Sequence, residues 1–285
     1  MNQRPPGSSL PLSSAIEGFL QYKIAEALNP RTIECYKRDL TQWLAYVGDL
    51  SMPKLTTDKI RAYLAYMRTD YKPRRIMGDN SLPLSPKTLR NIYVSLSAFF
   101  TWAQDEFKID HPMRSIPAPK FHIKAVEVFT KEDIEALLKA CDYCKEAQAT
   151  KTRKYTMRRA TGKRDHAILL FLLDTGLRAS ELCSLRIGDV DSSTGKVDIR
   201  HGIGGGAKGG KGRVVYLGMV ARRSLWRYLA DRADGKDASA PLFLGKFDRP
   251  MNRDGLRQLI NSLGERANVK HCYPHRFRHR RSPHE

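Results

Sequence analysis

Apolar residues recur at three- and four-residue spacing through most of this chain and alternate in only two short places. Ile16, Phe19 and Leu20 begin the first helical stripe. Asn29-Pro30 supplies a cap and a first-turn proline for a second helix. That helix carries Ile33, Tyr36, Leu40, Trp43, Leu44 and Val47 on one face. Thr56 and Thr57 open a third, with Ile60, Tyr63, Leu64 and Met67, and Ser85-Pro86 opens a fourth, with Leu89, Ile92, Tyr93, Leu96, Phe99, Phe100 and Ala103. The aromatic residues keep helical spacing, so they read as core and not as base-stacking platforms. Thr130 to Asp133 forms a capping-box pattern ahead of Ile134, Leu137 and Leu138. A long apolar pattern over 165–185 is interrupted at Thr175-Gly176, and helical patterns return at 219–231 and 253–266. The two β-like runs, 196–200 and 213–217, flank a glycine-rich stretch and predict an antiparallel hairpin.

The expected fold is mainly α with a small antiparallel β-sheet (α+β). Four segments follow from the punctuation. Residues 1–12 read as a loose tail, and 13–110 as a helical bundle. Residues 111–124, with three prolines by position 119, read as a linker. Residues 125–285 form the second domain. No repeat of fixed period is visible.

Charge narrows the class of partner. The 285 residues hold 50 Lys+Arg against 30 Asp+Glu, a formal net charge of +20 at pH 7. Residues 121–285 contribute 33 basic and 19 acidic side chains of that total, so the second domain is the stronger partner for phosphate. No apolar run approaches the roughly 18 residues that a membrane-spanning helix needs. The polar start, MNQRPPGSSLPLSS, does not resemble a signal peptide. Five scattered cysteines argue against a disulfide framework and for a reducing cytoplasm. Cys141-x-x-Cys144 invites a zinc reading completed by Cys272 and His275, but no second close pair exists, so no metal is expected.

Candidate chemistry sits in the second domain. Gly205 to Lys211 satisfies G-x-x-x-x-G-K, yet Gly212 replaces the magnesium-binding hydroxyl and a strand follows instead of a helix. A nucleotide-phosphate loop is therefore rejected. Three other pieces remain. In DTGLRASEL, Arg178 and Glu181 share one face of a new helix, which on its own could be a surface ion pair. Lys208 and Lys211 sit on the predicted hairpin tip. In PHRFRH, His275 and Arg278 are three apart. Residues 145–164 add eight basic side chains against one acidic. Such a run usually forms a solvated loop or helix face, but beside a phosphate site Lys151, Arg153, Lys154, Arg158 and Arg159 become candidate DNA contacts.

In this order, TGLRASEL, the basic hairpin and PHRFRH resemble the tyrosine recombinase family of phage integrases and Xer-type enzymes. The resemblance covers nearly the whole chain from about residue 13, its first domain being similar to the family's core-binding (SAM-like) domain. It implies site-specific DNA strand cleavage and rejoining through a 3′-phosphotyrosyl intermediate. It also implies that Arg178 and Arg278 are the catalytic arginines, Glu181 the supporting acid, and His275 the catalytic histidine. Lys208 matches the hairpin lysine, with Lys211 as the alternative. The chemistry is coherent. Two guanidinium forks stabilise a phosphorane-like transition state, a lysine protonates the departing 5′-oxygen, and a histidine handles the nucleophile's proton. No cofactor is required, because the phosphotyrosine ester conserves the bond energy.

The family places a further His or Trp, and then the nucleophilic Tyr, downstream of His-x-x-Arg. Here seven residues follow Arg278 and none is tyrosine, the last being Tyr273. The expectation is a recombinase that ends before its nucleophile, binds duplex DNA, and does not cut it alone. Its partners would be DNA and either further copies of itself or an intact recombinase. The competing reading is a non-catalytic module that occupies recombination sites, and a third is a basic RNA-binding protein.

Overall fold

The computed structural model describes residues 10–75, 79–122, 127–144, 147–148, 154–155, 157–199 and 212–280, with 147, 148, 154, 155, 279 and 280 described for the backbone alone. The chain divides into two compact units, 1–124 and 125–285.

The first unit is a bundle of α1 (Leu12–Ala25), α2 (Pro30–Val47), α3 (Thr57–Thr69) and α4 (Pro86–Phe107). Its helix starts follow local chemistry. The side chain of Asn29 accepts from Arg31 N at 2.9 Å, and Ser85 Oγ accepts from Thr88 N at 3.2 Å. Each satisfies an amide that the helix itself leaves without a partner. The apolar stripes converge, with Phe19, Trp43, Tyr63, Phe99 and Phe100 fully buried. Trp43 and Tyr63 lie 4.9 Å apart by ring centroid, and Phe19 meets Phe99 edge-on at 5.6 Å. These aromatic residues are core. Two polar residues are buried with them, Asp39 and Ser95: the Asp39 carboxylate accepts from Ser95 Oγ at 2.7 Å and from Arg38 at 2.8 Å, joining α2 to α4.

Both edges of this unit differ from the sequence reading. Leu12 is wholly buried in α1, and Leu10 packs against the same core, so 10–12 belong to the bundle and not to a tail. The proline-rich segment is also anchored. Met113 and Ile116 are buried in the first core, Tyr93 Oη donates to Ile116 O at 2.8 Å, and Thr57 Oγ1 donates to Pro112 O at 2.8 Å. Two apolar side chains three residues apart fit one tight turn, and burying them outweighs the extended bias of the prolines.

The second unit holds α5 (Lys131–Asp142), α6 (Gly162–Thr175), α7 (Ala179–Ser184), α8 (Met219–Ala230) and α9 (Arg253–Ala267). Thr130 and Asp133 form the expected reciprocal cap of α5, at 3.1 and 3.2 Å. The unbroken apolar run of α6 makes it the central helix, since every residue from Ala167 to Leu173 is buried. At roughly 1.5–3 kcal/mol per large side chain removed from water, this one helix supplies much of the unit's driving force. Strands β1 (Ala147–Gln148) and β2 (Lys154–Tyr155) pair antiparallel inside what reads as a basic loop or helix face. Strands β3 (Lys196–Ile199) and β4 (Arg213–Tyr216) pair antiparallel, with Val197 opposite Val215 and Ile199 opposite Arg213. The glycine-rich tip between them lies outside the described residues.

Gly264 lets the end of the unit fold back. A Cβ there would lie 2.4 Å from Cys272 Cβ and 3.0 Å from Val269 O, so only glycine allows the 269–273 segment to press against α9. That return delivers the 3-10 turn Pro274–Arg280 to the rest of the unit.

Candidate active site

Gly176 ends α6 in the left-handed region, φ +59, where a side chain would be strained. The reversal lets Arg178 start α7 as its N-cap, with Glu181 one turn along. Glu181 is fully buried and is held by two arginines. Its Oε2 accepts from Arg178 N at 2.8 Å, and its Oε1 from Arg178 Nη1 at 2.8 Å. Arg213, the first residue of β4, donates Nη1 to Oε1 at 2.9 Å and Nη2 to Oε2 at 2.7 Å. Burial alone would raise the Glu181 carboxyl, but the hydrogen bonds from Arg213 and Arg178 pull it down to about 2. It is therefore a fixed anion at any physiological pH. Both arginine side chains stay about one-third exposed, at 36% for Arg178 and 34% for Arg213.

His275 and Arg278 lie on the 3-10 turn. With three residues per turn, positions i and i+3 eclipse, so the pair shares one side. His275 is exposed and Arg278 half-buried, while Arg276 and Phe277 between them point inward and are 5% and 1% exposed. Arg278 Nη1 donates to Gly176 O at 3.4 Å. The structure thus brings the second arginine to the turn that carries the first. Asp174 adds a brace, accepting from Gly218 N at 2.7 Å and fixing the end of α6 to the entry of α8.

The remaining expected residues divide. Lys208 and Lys211 lie outside the described residues, as do Lys151 and Arg153, and Lys154 is described only as backbone in β2. Arg158 is exposed. Arg159, expected at DNA, is instead committed inward. Its Nη2 sits 2.7 Å from the Asp165 carboxylate, and its Nη1 donates to Cys141 O at 3.2 Å. Asp165 is completely buried and also takes Nε and Nη2 of Arg164 at 2.9 and 2.8 Å. A buried carboxylate needs such partners, and adjacent arginines were the nearest supply. A cleft of about 940 Å³ opens beside this cluster, lined by Arg164, Lys246, Arg249 and Arg266 among others. It contains none of Arg178, Glu181, Arg213, His275 or Arg278.

Cys141 is buried, with Sγ directed to Leu137 O at 3.3 Å. Among the described residues no cluster of histidine, cysteine and acidic side chains is placed to hold a metal ion. None of the described helices is long and apolar enough to cross a membrane. Arg213 was not singled out in the sequence. Its signal is weak there, a single arginine among many at the foot of a strand, and only the pairing of β3 with β4 carries it to Glu181.

The second unit thus gathers Arg178, Glu181, Arg213 and Arg278 around the end of α6. The phage integrase family matches residues 127–284, and the N-terminal SAM-like domain of phage integrases matches 16–108. The chain belongs to the phage integrase family, and is of the Xer-like tyrosine recombinase kind. It is 28% identical over 279 residues to the tyrosine recombinase XerD of Listeria monocytogenes, covering 94% of this chain and 83% of that one. Two solved structures share the fold. One is the Tn1549 transposon integrase in complex with a circular intermediate DNA, with TM-score 0.70, 18% identity, and coverage of 95% of this chain and 85% of that one. The other is a lambda integrase tetramer bound to a Holliday junction, with TM-score 0.67, 14% identity, and coverage of 95% and 71%.

Proposed function

We propose that this chain grips one backbone phosphate of duplex DNA between Arg178 and Arg278 for strand cleavage and rejoining. The observation that carries this is the meeting of Arg278 with the Gly176 carbonyl, two residues before an Arg178 held by Glu181. Two permanently charged forks fixed by a dry carboxylate and by backbone are pre-set for the non-bridging oxygens. In the reaction a tyrosine oxygen attacks phosphorus, forming a 3′-phosphotyrosyl bond. The bond to the 5′-oxygen breaks, and Lys208, with Lys211 as the alternative, gives that oxygen its proton. His275 accepts or relays the proton of the attacking hydroxyl. Rejoining reverses these steps. Glu181 and Arg213 touch no reacting atom and hold Arg178 in place.

No tyrosine follows Arg278 within residues 1–285. The attacking tyrosine is therefore not assigned to any of these residues. The partners are duplex DNA and further protomers assembled on it, and the place of action is the cytoplasm.

Affinity for duplex DNA measured across a salt series tests the grip. Replacing Arg178 with Met removes one phosphate contact and should lower the slope of log K against log salt by about 0.9. An unchanged slope would overturn the assignment. On a nicked suicide duplex, a covalent adduct formed by these 285 residues alone would place the attacking hydroxyl among them.

A further inference from the structure

We infer that Arg276, one of the two residues between the catalytic candidates, is the positioning residue that sets the orientation of His275 and Arg278. The inference rests on the phosphate-gripping reading given above. Arg276 is 5% exposed, whereas His275 is exposed and Arg278 half-buried. Its guanidinium is fully engaged. Nε donates to Glu127 O at 2.8 Å, Nη2 to Val128 O at 3.2 Å, and Nη1 to Lys270 O at 2.6 Å. Its Nη2 also lies 3.5 Å from Asp133 Oδ2, the carboxylate that caps α5. The Cζ sits 4.0 Å from the centre of the Phe129 ring, and Phe277 packs on that same ring at 4.6 Å.

This arrangement does more than fill space. A 3-10 turn of seven residues has poor internal hydrogen bonding and little intrinsic stability. Its orientation has to come from outside. Arg276 supplies it by clamping the turn to the strand-like entry of α5 on one side and to the end of α9 on the other. The fork is planar, so it fixes rotation about the turn axis as well as distance. Rotating the turn would carry Arg278 away from the Gly176 carbonyl and separate the two catalytic arginines. An apolar residue of equal volume would keep the packing on Phe129 but lose the three hydrogen bonds that tie the turn to Glu127, Val128 and Lys270.

The test is a double-mutant cycle in the salt series, on the full chain with duplex DNA. Arg278→Met should lower the salt slope by about 0.9, the loss of one phosphate contact. Arg276→Met should lower it by a similar amount although Arg276 faces the protein interior, and the double variant should fall no further than Arg278→Met alone. Were Arg276 only a stability element, Arg276→Met would lower the thermal midpoint and leave the slope of the folded protein unchanged, and that result would overturn the inference. If Arg278→Met itself leaves the slope unchanged, the phosphate reading fails, and this inference with it. Should Arg276→Met fail to fold, Arg276→Lys keeps the charge and loses the fork. It should then show an intermediate slope, and a wild-type slope in that variant overturns the proposal.

Discussion

Arg213 and Glu181 meet as a two-pronged pair, Nη1 at 2.9 Å from one carboxylate oxygen and Nη2 at 2.7 Å from the other. They are 32 residues apart and belong to different elements, a strand foot and a short helix. Because the same carboxylate holds Arg178, β4 and α7 cannot move independently without exposing a buried anion.

Glu181→Gln should therefore cost about 1.5–3 kcal/mol, the range for a hydrogen bond to a charged group. The pH dependence follows from the carboxyl lying at about 2 when folded against 4.5 as an unperturbed group. Its stabilisation is fully present above about 4.5. Below that the unfolded chain takes up the proton first, and stability falls as pH drops towards 2. Urea unfolding at pH 6 and pH 3 should show a smaller gap between wild type and Glu181→Gln at the lower pH. An equal gap at both would contradict the fixed-anion reading.

Arg158 and Arg159 are neighbours with opposite expectations. Arg158→Ala should weaken duplex binding and leave the unfolding midpoint within the small range of surface changes. Arg159→Ala leaves Asp165 short of a partner, and Asp165→Asn strips the ion cluster of its fully buried anion. Breaking such a cluster costs about 3–5 kcal/mol. Thermal unfolding beside DNA titration separates the two, and equal effects from Arg158 and Arg159 would mean that burial does not sort their roles.

Ile116→Ala asks whether the proline-rich segment is a free tether. As a tether residue it would change nothing. As a core residue it should destabilise the first unit by about 2–5 kcal/mol, less if neighbouring side chains collapse into the space. Hydrogen exchange of α4 amides reads the outcome directly.

Helix starts were the most legible part of the sequence, because a cap is local chemistry. Asn29, Ser85 and Thr130 each act within three residues of themselves. The stripe of α6 was legible because burial on all sides leaves no polar phase to misread. Arg178, Glu181, His275 and Arg278 stood out through the order of their motifs and not through any single one. What stayed hidden depends on distant partners. Asp165 reads as a polar start to the apolar pattern over 165–185, and nothing in its surroundings says that it is wholly buried. Arg276 reads as one more cation in a cationic tail, although its partners at 127 and 128 lie about 150 residues away. Met113 and Ile116 were masked by the prolines around them.

The contact between Arg278 and the Gly176 carbonyl spans 102 residues of chain. Closing a loop that long costs entropy that one hydrogen bond does not offset, so the contact depends on the packing of the elements between. On the proposed reading, a copy whose second unit is partly opened would meet nucleic acid through diffuse charge and not through the paired arginines.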